Sequence, residues 1–126
     1  MKTIINTQNA PAPIGPYSQA VAFNGLLYVS GQIPMDPATG EIINTGIIDE
    51  ARQVMENLKG ILTEAGAGFD DIIKTTIFLT DMQTFTQVNE VYGSYFTENF
   101  PARETVQVSG LPKGVNVEIS VVAAKS

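Results

Sequence analysis

The 126-residue chain contains no cysteine and no histidine. Without cysteine there is no disulfide framework, no thiolate nucleophile and no Cys-ligated zinc. Without histidine the commonest general base and the commonest metal ligand are gone as well. Cations are scarce too: 7 Lys and Arg stand against 13 Asp and Glu, for a net charge of -6. The basic residues Lys2, Arg52, Lys59, Lys74, Arg103, Lys113 and Lys125 are scattered and form no run. Nucleic acid and anionic membranes both reward clustered Lys and Arg, so neither is expected as a partner. No apolar run approaches the roughly 20 residues of a membrane-spanning helix. Met1 to Gln8 lacks the apolar core of a signal peptide, so a cytoplasmic protein is expected. The acidic pairs Asp49-Glu50 and Asp70-Asp71 read as first-turn and loop charges, and adjacent helical residues do not face each other. No metal and no cofactor are expected.

What remains is a chain with 44% hydrophobic residues that reads as one domain, residues 1–126. It is long enough to bury a core and small enough for association to add stability. Lys2 to Asn6 reads as a short edge strand. Asn9-Ala-Pro-Ala-Pro-Ile-Gly-Pro16 holds three prolines within six residues, which deny ladder hydrogen bonds and keep the backbone extended. Such a segment is a linker or a clamp over a surface. Tyr17 leaves it and opens a strand to Phe23. Asn24-Gly25 is a strong hairpin signal, with Leu26 to Ser30 as the partner strand. Gly31 follows, where a missing side chain admits a ligand or another backbone.

Met35 to Gly40 is turn chemistry. A helix is expected over Ile48 to Ala65, with Ile48, Ala51, Val54, Met55, Leu58, Ile61, Leu62 and Ala65 on one face and Gly66 and Gly68 ending it. Ile72 to Leu79 is a strand rich in β-branched residues. Asp81 or Thr84 caps a second helix that ends near Asn99, with Phe85, Val88, Tyr92, Tyr95 and Phe96 on one stripe. Asn89 lies within that stripe, where its amide must find partners.

The last two strands carry the chemistry. In Phe100 to Gly110, alternation puts Val106 and Val108 on one face and Arg103, Thr105, Gln107 and Ser109 on the other. In Val115 to Ala123, Val115, Val117, Ile119, Val121 and Ala123 share an apolar face, and Asn116, Glu118 and Ser120 lie opposite. Leu111-Pro-Lys-Gly114 is a short connector, so an antiparallel hairpin is the simplest pairing, and it puts Arg103 and Glu118 on the same non-core face. The element order implies an α+β fold, a two-layer sandwich in which a mixed β-sheet carries two helices on one face. The other face, with Val122, Thr105, Gln107, Ser109, Asn116, Glu118 and Ser120, is too mixed for a core and too weakly charged for a plain wet surface. A partner copy is expected to cover it in a symmetric oligomer.

Pro101-Ala102-Arg103, Thr105-Val106-Gln107-Val108, Leu111-Pro112-Lys113-Gly114 and Val117-Glu118-Ile119 resemble the signature of the YjgF/Rid family of reactive-intermediate (enamine/imine) deaminases. The resemblance extends to Ile14-Gly15-Pro16-Tyr17-Ser18-Gln19, Ser30-Gly31-Gln32-Ile33-Pro34, Lys74-Thr75-Thr76 and Val88-Asn89. It implies a chorismate-mutase-like fold and a homotrimer with three sites at subunit clefts. The implied reaction is hydrolysis of 2-imino acids, formed from 2-aminoacrylate and its relatives (2-iminopropionate, 2-iminobutanoate), to 2-oxo acids and ammonia. Two positions depart from the pattern. Glu104 stands where a small residue is usual, and alternation places it on the core side or rim. Thr105 stands where some members carry Cys, a harmless change if the position works through its main chain.

For such a substrate Arg103 is the candidate to hold the carboxylate, because its planar fork bonds both oxygens and stays charged. The resemblance adds main-chain groups of Thr105 and Gly31. Glu118 is the candidate to position water and return a proton to the departing ammonia. Tyr17 would close the pocket from a neighbouring subunit, Ser30 would meet the amine end, and Asn89 would hold the cleft wall. Imines hydrolyse readily, so positioning suffices without a metal or a covalent nucleophile. Taken singly, each of these residues has an ordinary surface or packing role, and only the family pattern sets Arg103 and Glu118 apart. The competing reading is a non-catalytic carboxylate-binding or regulatory trimer, against which Glu118 beside Arg103 counts as an unwelcome second negative charge. An RNA-cleaving role, also assigned to the family, fits poorly with an acidic chain that lacks histidine.

Overall fold

The computed structural model describes residues 1–125. Asn24 and Gly25 take φ of 51° and 78°, the paired left-handed conformations of a type I′ turn. They join Ala20–Phe23 (β2) to Leu26–Gln32 (β3), with Phe23 opposite Leu26. Thr3–Ile5 (β1) adds antiparallel to β2. The first helix, Ile47–Glu64 (α1), buries Ala51, Val54, Met55, Leu58, Ile61 and Leu62 on the expected face. Ile48 does not join them: it is 42% exposed, and its neighbour Ile47 packs against the core instead. Gly66, at φ 78°, ends the helix, and the Ala67 N–H donates back to the Leu62 carbonyl.

Ile72–Leu79 (β4) leads through a 3-10 turn, capped by the Asp81 carboxylate, into Phe85–Gly93 (α2). That helix stops well short of Asn99. Gly93 and Ser94 are weak helix formers, and Tyr95 and Phe96 reach the core from the turn beyond. Their ring centroids lie 5.1 and 5.7 Å from that of Phe69. The chain closes with Ala102–Gln107 (β5) and Val117–Ala124 (β6).

These last two strands do not form the expected hairpin. The sheet order is β1-β2-β3-β6-β4-β5, with β4 lying between β6 and β5. β4 is antiparallel to β6 and parallel to β5. The reason is α2, which serves as the crossover of a strand–helix–strand unit, and such units pair their strands in parallel. Leu111 to Gly114 accordingly forms a 3-10 turn, Pro112–Gly114, within a longer connection. The result is a mixed six-stranded sheet with α1 and α2 packed on one face.

The pairing also reverses the expected faces of β5. Thr75 on β4 is opposite both Val121 of β6 and Arg103 of β5. Thr75 is buried under α2, where its Oγ1 accepts a 2.8 Å hydrogen bond from the Tyr92 hydroxyl. Arg103 and Thr105 therefore face the helices, and Glu104 and Val106 face the open side. Glu104 lies neither on the core side nor beside Arg103. It pairs with Lys74 at 3.4 Å. Asn116 also leaves the open face, and its amide bonds both carboxylate oxygens of buried Glu50 on α1. An apolar row, Ile4, Val21, Tyr28 and Val122, crosses the open face in register. Among the described residues no helix is long and apolar enough to cross a membrane.

The proline-rich arm is fastened from within. Gln19 is 2% exposed, and its side-chain nitrogen donates to the carbonyls of Thr7, Ala10 and Pro11. Its Oε1 accepts from the Thr7 N–H at 2.7 Å. Gly60 lets α1 approach the same arm, since a Cβ there would overlap the Asn9 backbone. Replacing Gln19 by the isosteric Glu removes the donor and buries a carboxylate against carbonyls. Gln19→Glu is expected to cost about 3 kcal/mol, at least as much as Gln19→Ala. Urea unfolding of both variants checks this, and a Glu variant as stable as wild type would contradict it.

Candidate active site

β3 runs three residues from Val29 to Gln32 while β6 runs two, from Val121 to Ile119. The extra residue is a β-bulge at Ser30-Gly31, and bulges re-aim side chains and break pairing locally. Here the bulge lies against Glu118, which stands on the open face of β6 opposite Phe78. A Cβ on Gly31 would overlap the Glu118 carboxylate, so only glycine lets that carboxylate rest on the β3 backbone. Ser30 is tied to the arm, its N–H donating to Gln19 O at 2.9 Å and its hydroxyl to Ser18 O at 2.6 Å. With its proton used, the hydroxyl is left as an acceptor.

Ile14, Tyr17, Ser30, Gly31, Ile33, Pro112 and Glu118 line one open cleft of about 310 Å³. Tyr17 is half exposed, and its hydroxyl accepts from the Ile14 N–H at 3.3 Å, which folds the arm over the cleft mouth. Beyond the bulge the backbone is pinned by Asn57 of α1, 1% exposed, which donates to the carbonyls of Ile33 and Met35. With apolar walls on several sides, burial pushes the Glu118 carboxyl above its ordinary value near 4.5. Glu118 therefore holds a proton more readily than a surface glutamate.

Arg103 is elsewhere. It lies on the helix side of β5, half-buried, with Nη1 donating to Asn89 Oδ1 of α2 and its Cζ near the rings of Phe85 and Tyr92. Thr105 lies two residues on, opposite Ile77. Its Oγ1 is buried without a hydrogen-bond partner among the described residues. Tyr17, Ser30, Gly31 and Glu118 thus meet in one cleft, and Arg103, Asn89 and Thr105 meet under α2. The expected placement of Arg103 and Glu118 on one face is incorrect: the sheet separates them. Among the described residues no group of three acidic side chains converges to hold a metal ion.

The apolar wall of Ile14, Ile33 and Pro112 was not anticipated, nor were the two rings beside Arg103. The Phe85, Asn89, Tyr92 spacing did signal a shared helix face. The crossover that brings that face over β5 is a long-range fact with no local signature.

The family model described as endoribonuclease L-PSP matches residues 7–125. A RutC family protein of Pyrococcus horikoshii is 54% identical, over 99% of both chains. The human protein named 2-iminobutanoate/2-iminopropanoate deaminase is 47% identical, over 98% of this chain and 90% of its own. The crystal structure of E. coli TdcF with bound serine superposes with a TM-score of 0.94 at 46% identity, covering 98% of this chain and 99% of that one.

Thr105→Val keeps the shape and removes the orphaned hydroxyl, so it is expected to stabilise the fold by about 1 kcal/mol in urea unfolding. A loss of stability would mean that the hydroxyl has a partner. Glu118 gives a pH signature. Its folded pKa is raised, so the native state binds more protons than the unfolded chain from about pH 4.5 upward. Its contribution is therefore lost as pH rises through the folded value. Wild type should lose stability relative to Glu118→Gln over that window, and a stability difference that stays flat with pH would contradict the shift.

Proposed function

The chain belongs to the YjgF/Rid family, and from that premise we propose that it hydrolyses 2-imino acids and their enamine forms to 2-oxo acids and ammonia. The observation that carries this reading is the pair of environments just described. A charged arginine is held in place with donors to spare, and a desolvated glutamate lines a small apolar cleft. A carboxylate suits the first and a neutral C=N group suits the second. TdcF, which binds serine, and the human deaminase supply parallels among relatives.

One small ligand cannot touch both groups within a single chain, because the sheet lies between them. On this reading the site is composite: the Arg103 side of one subunit meets the Glu118 cleft of its neighbour, in a homotrimer with three sites at its subunit boundaries. The apolar row Ile4, Val21, Tyr28 and Val122, in which Ile4 and Tyr28 are exposed, supports a face covered by another copy.

In this site Arg103 holds the substrate carboxylate by charge-assisted hydrogen bonds. Main-chain groups of Thr105 and Gly31 line the ligand, and the Ser30 oxygen accepts from the imine N–H. Glu118, ionised, takes a proton from water as the water oxygen bonds to the imine carbon. The C=N π pair passes to nitrogen, which takes that proton from Glu118 to give a carbinolamine. The carbinolamine hydroxyl then loses its proton through Glu118 to the nitrogen, the C–N bond breaks, and ammonia leaves with a 2-oxo acid behind. One water is consumed and one ammonia released. The raised pKa of Glu118 suits a group that must both take and return a proton.

The test is release of ammonia and 2-oxo acid from 2-iminopropanoate generated in situ by an amino acid oxidase. Wild type should accelerate it, with kcat/KM falling about 100-fold in Arg103→Ala and about 100-fold in Glu118→Gln. Full activity in Arg103→Ala would move the carboxylate site. No acceleration by folded wild-type protein would favour a carboxylate-binding, non-catalytic trimer.

A further inference from the structure

Phe85, Asn89 and Tyr92 stand at i, i+4 and i+7 of α2 and share one face of it. The Arg103 Cζ lies 5.5 Å from the Phe85 ring centroid and 5.2 Å from that of Tyr92. Both rings lie within the roughly 6 Å over which a ring face attracts a cation. Asn89 Oδ1, on the helix between them, accepts a hydrogen bond from Nη1. Tyr92 is itself held, 4% exposed, by its hydroxyl bond to Thr75, the residue paired with Arg103 across the strands. Among the described residues the salt bridge is Lys74–Glu104, and no carboxylate pairs with Arg103. A half-buried cation in an acidic protein has thus been given two aromatic faces and an amide, and its charge left unmatched.

We propose that Phe85 and Tyr92 are positioning residues for the substrate carboxylate, forming with Asn89 a socket that fixes the guanidinium. Ring quadrupoles stabilise the cation without neutralising it, as a protein carboxylate would. With two rings beside it and one donor engaged by Asn89, the guanidinium meets an anion through the donors Asn89 leaves free. The substrate carboxylate is thereby held in one orientation relative to the neighbouring Glu118 cleft. This rests on the carboxylate role proposed for Arg103.

The experiment pairs a spectroscopic readout with kinetics. In the protein without substrate, the Arg103 side-chain Nε–H and Cδ–H resonances, assigned by their loss in Arg103→Lys, should be shifted upfield by the ring currents. Phe85→Leu should return them toward free arginine values and raise KM for 2-iminopropanoate about tenfold, with kcat within about twofold. Phe85→Tyr, which restores a ring, should restore both. Tyr92→Phe keeps the ring and should keep the shift even if it lowers stability. Unshifted Arg103 resonances in wild type, or an unchanged KM in folded Phe85→Leu, would overturn the socket. Absence of turnover by wild type would defeat the deaminase reading alone. The resonance shifts, and pyruvate titrations of wild type and Phe85→Leu, would then still decide whether the socket orients a carboxylate.

Discussion

The insertion of β6 between β3 and β4 governs the rest of the molecule. It makes β6 the central strand, buried on alternate residues from Val117 to Ala123, and it sends β5 to the sheet edge beside β4. Because β4 and β5 are joined by α2, Arg103 enters under that helix. Glu118, on the even positions of β6, is presented to the opposite side. Strand alternation allows no compromise: a residue is on one face or the other. The separation of cation from carboxylate follows from topology, and so does the requirement for a second chain if both are to act on one small molecule.

The Arg103 cluster and the Glu118 cleft are built by different means. The Glu118 cleft depends on backbone: a bulge without a side chain at Gly31, a proline-rich arm stapled by Gln19, and a segment pinned by Asn57. These interior amides satisfy carbonyls that irregular chain would otherwise leave bare, which is why non-regular structure can form a rigid wall here. The Arg103 half depends on one helix face, where aromatic rings and an amide surround a cation. Rigid backbone suits proton transfer beside a wall, and a held guanidinium suits capture of an anion.

Much of this was legible in the residues. Asn24-Gly25 named its turn, the apolar spacing of α1 named its buried face apart from Ile48, and the two-layer class followed from element order. The strand of Val115 to Ala123 showed its buried face in its alternation. The pairing of that strand was not legible, because Leu111 to Gly114 is short enough for a hairpin and nothing local reveals that β4 intervenes. A hairpin at this connector would reverse the face of β5 and set Arg103 beside Glu118, which the intervening β4 prevents. Aromatic residues at Phe85 and Tyr92 read as core because a core residue and a partner for a cation have the same helical spacing. Gln19 and Asn57 gave no signal, since buried amides are recognised only by the carbonyls they meet.

The composite site is the central claim, and subunit mixing tests it most directly. Arg103→Ala and Glu118→Gln chains are unfolded together in equal amounts, refolded together and assayed for imine hydrolysis. If each site takes Arg103 from one subunit and Glu118 from the next, about a quarter of all sites after random reassembly carry both native residues. The mixture then regains about a quarter of wild-type activity, although each parent alone retains only about a hundredth. If both residues served one chain's own site, mixing would restore nothing, and the composite reading would fail.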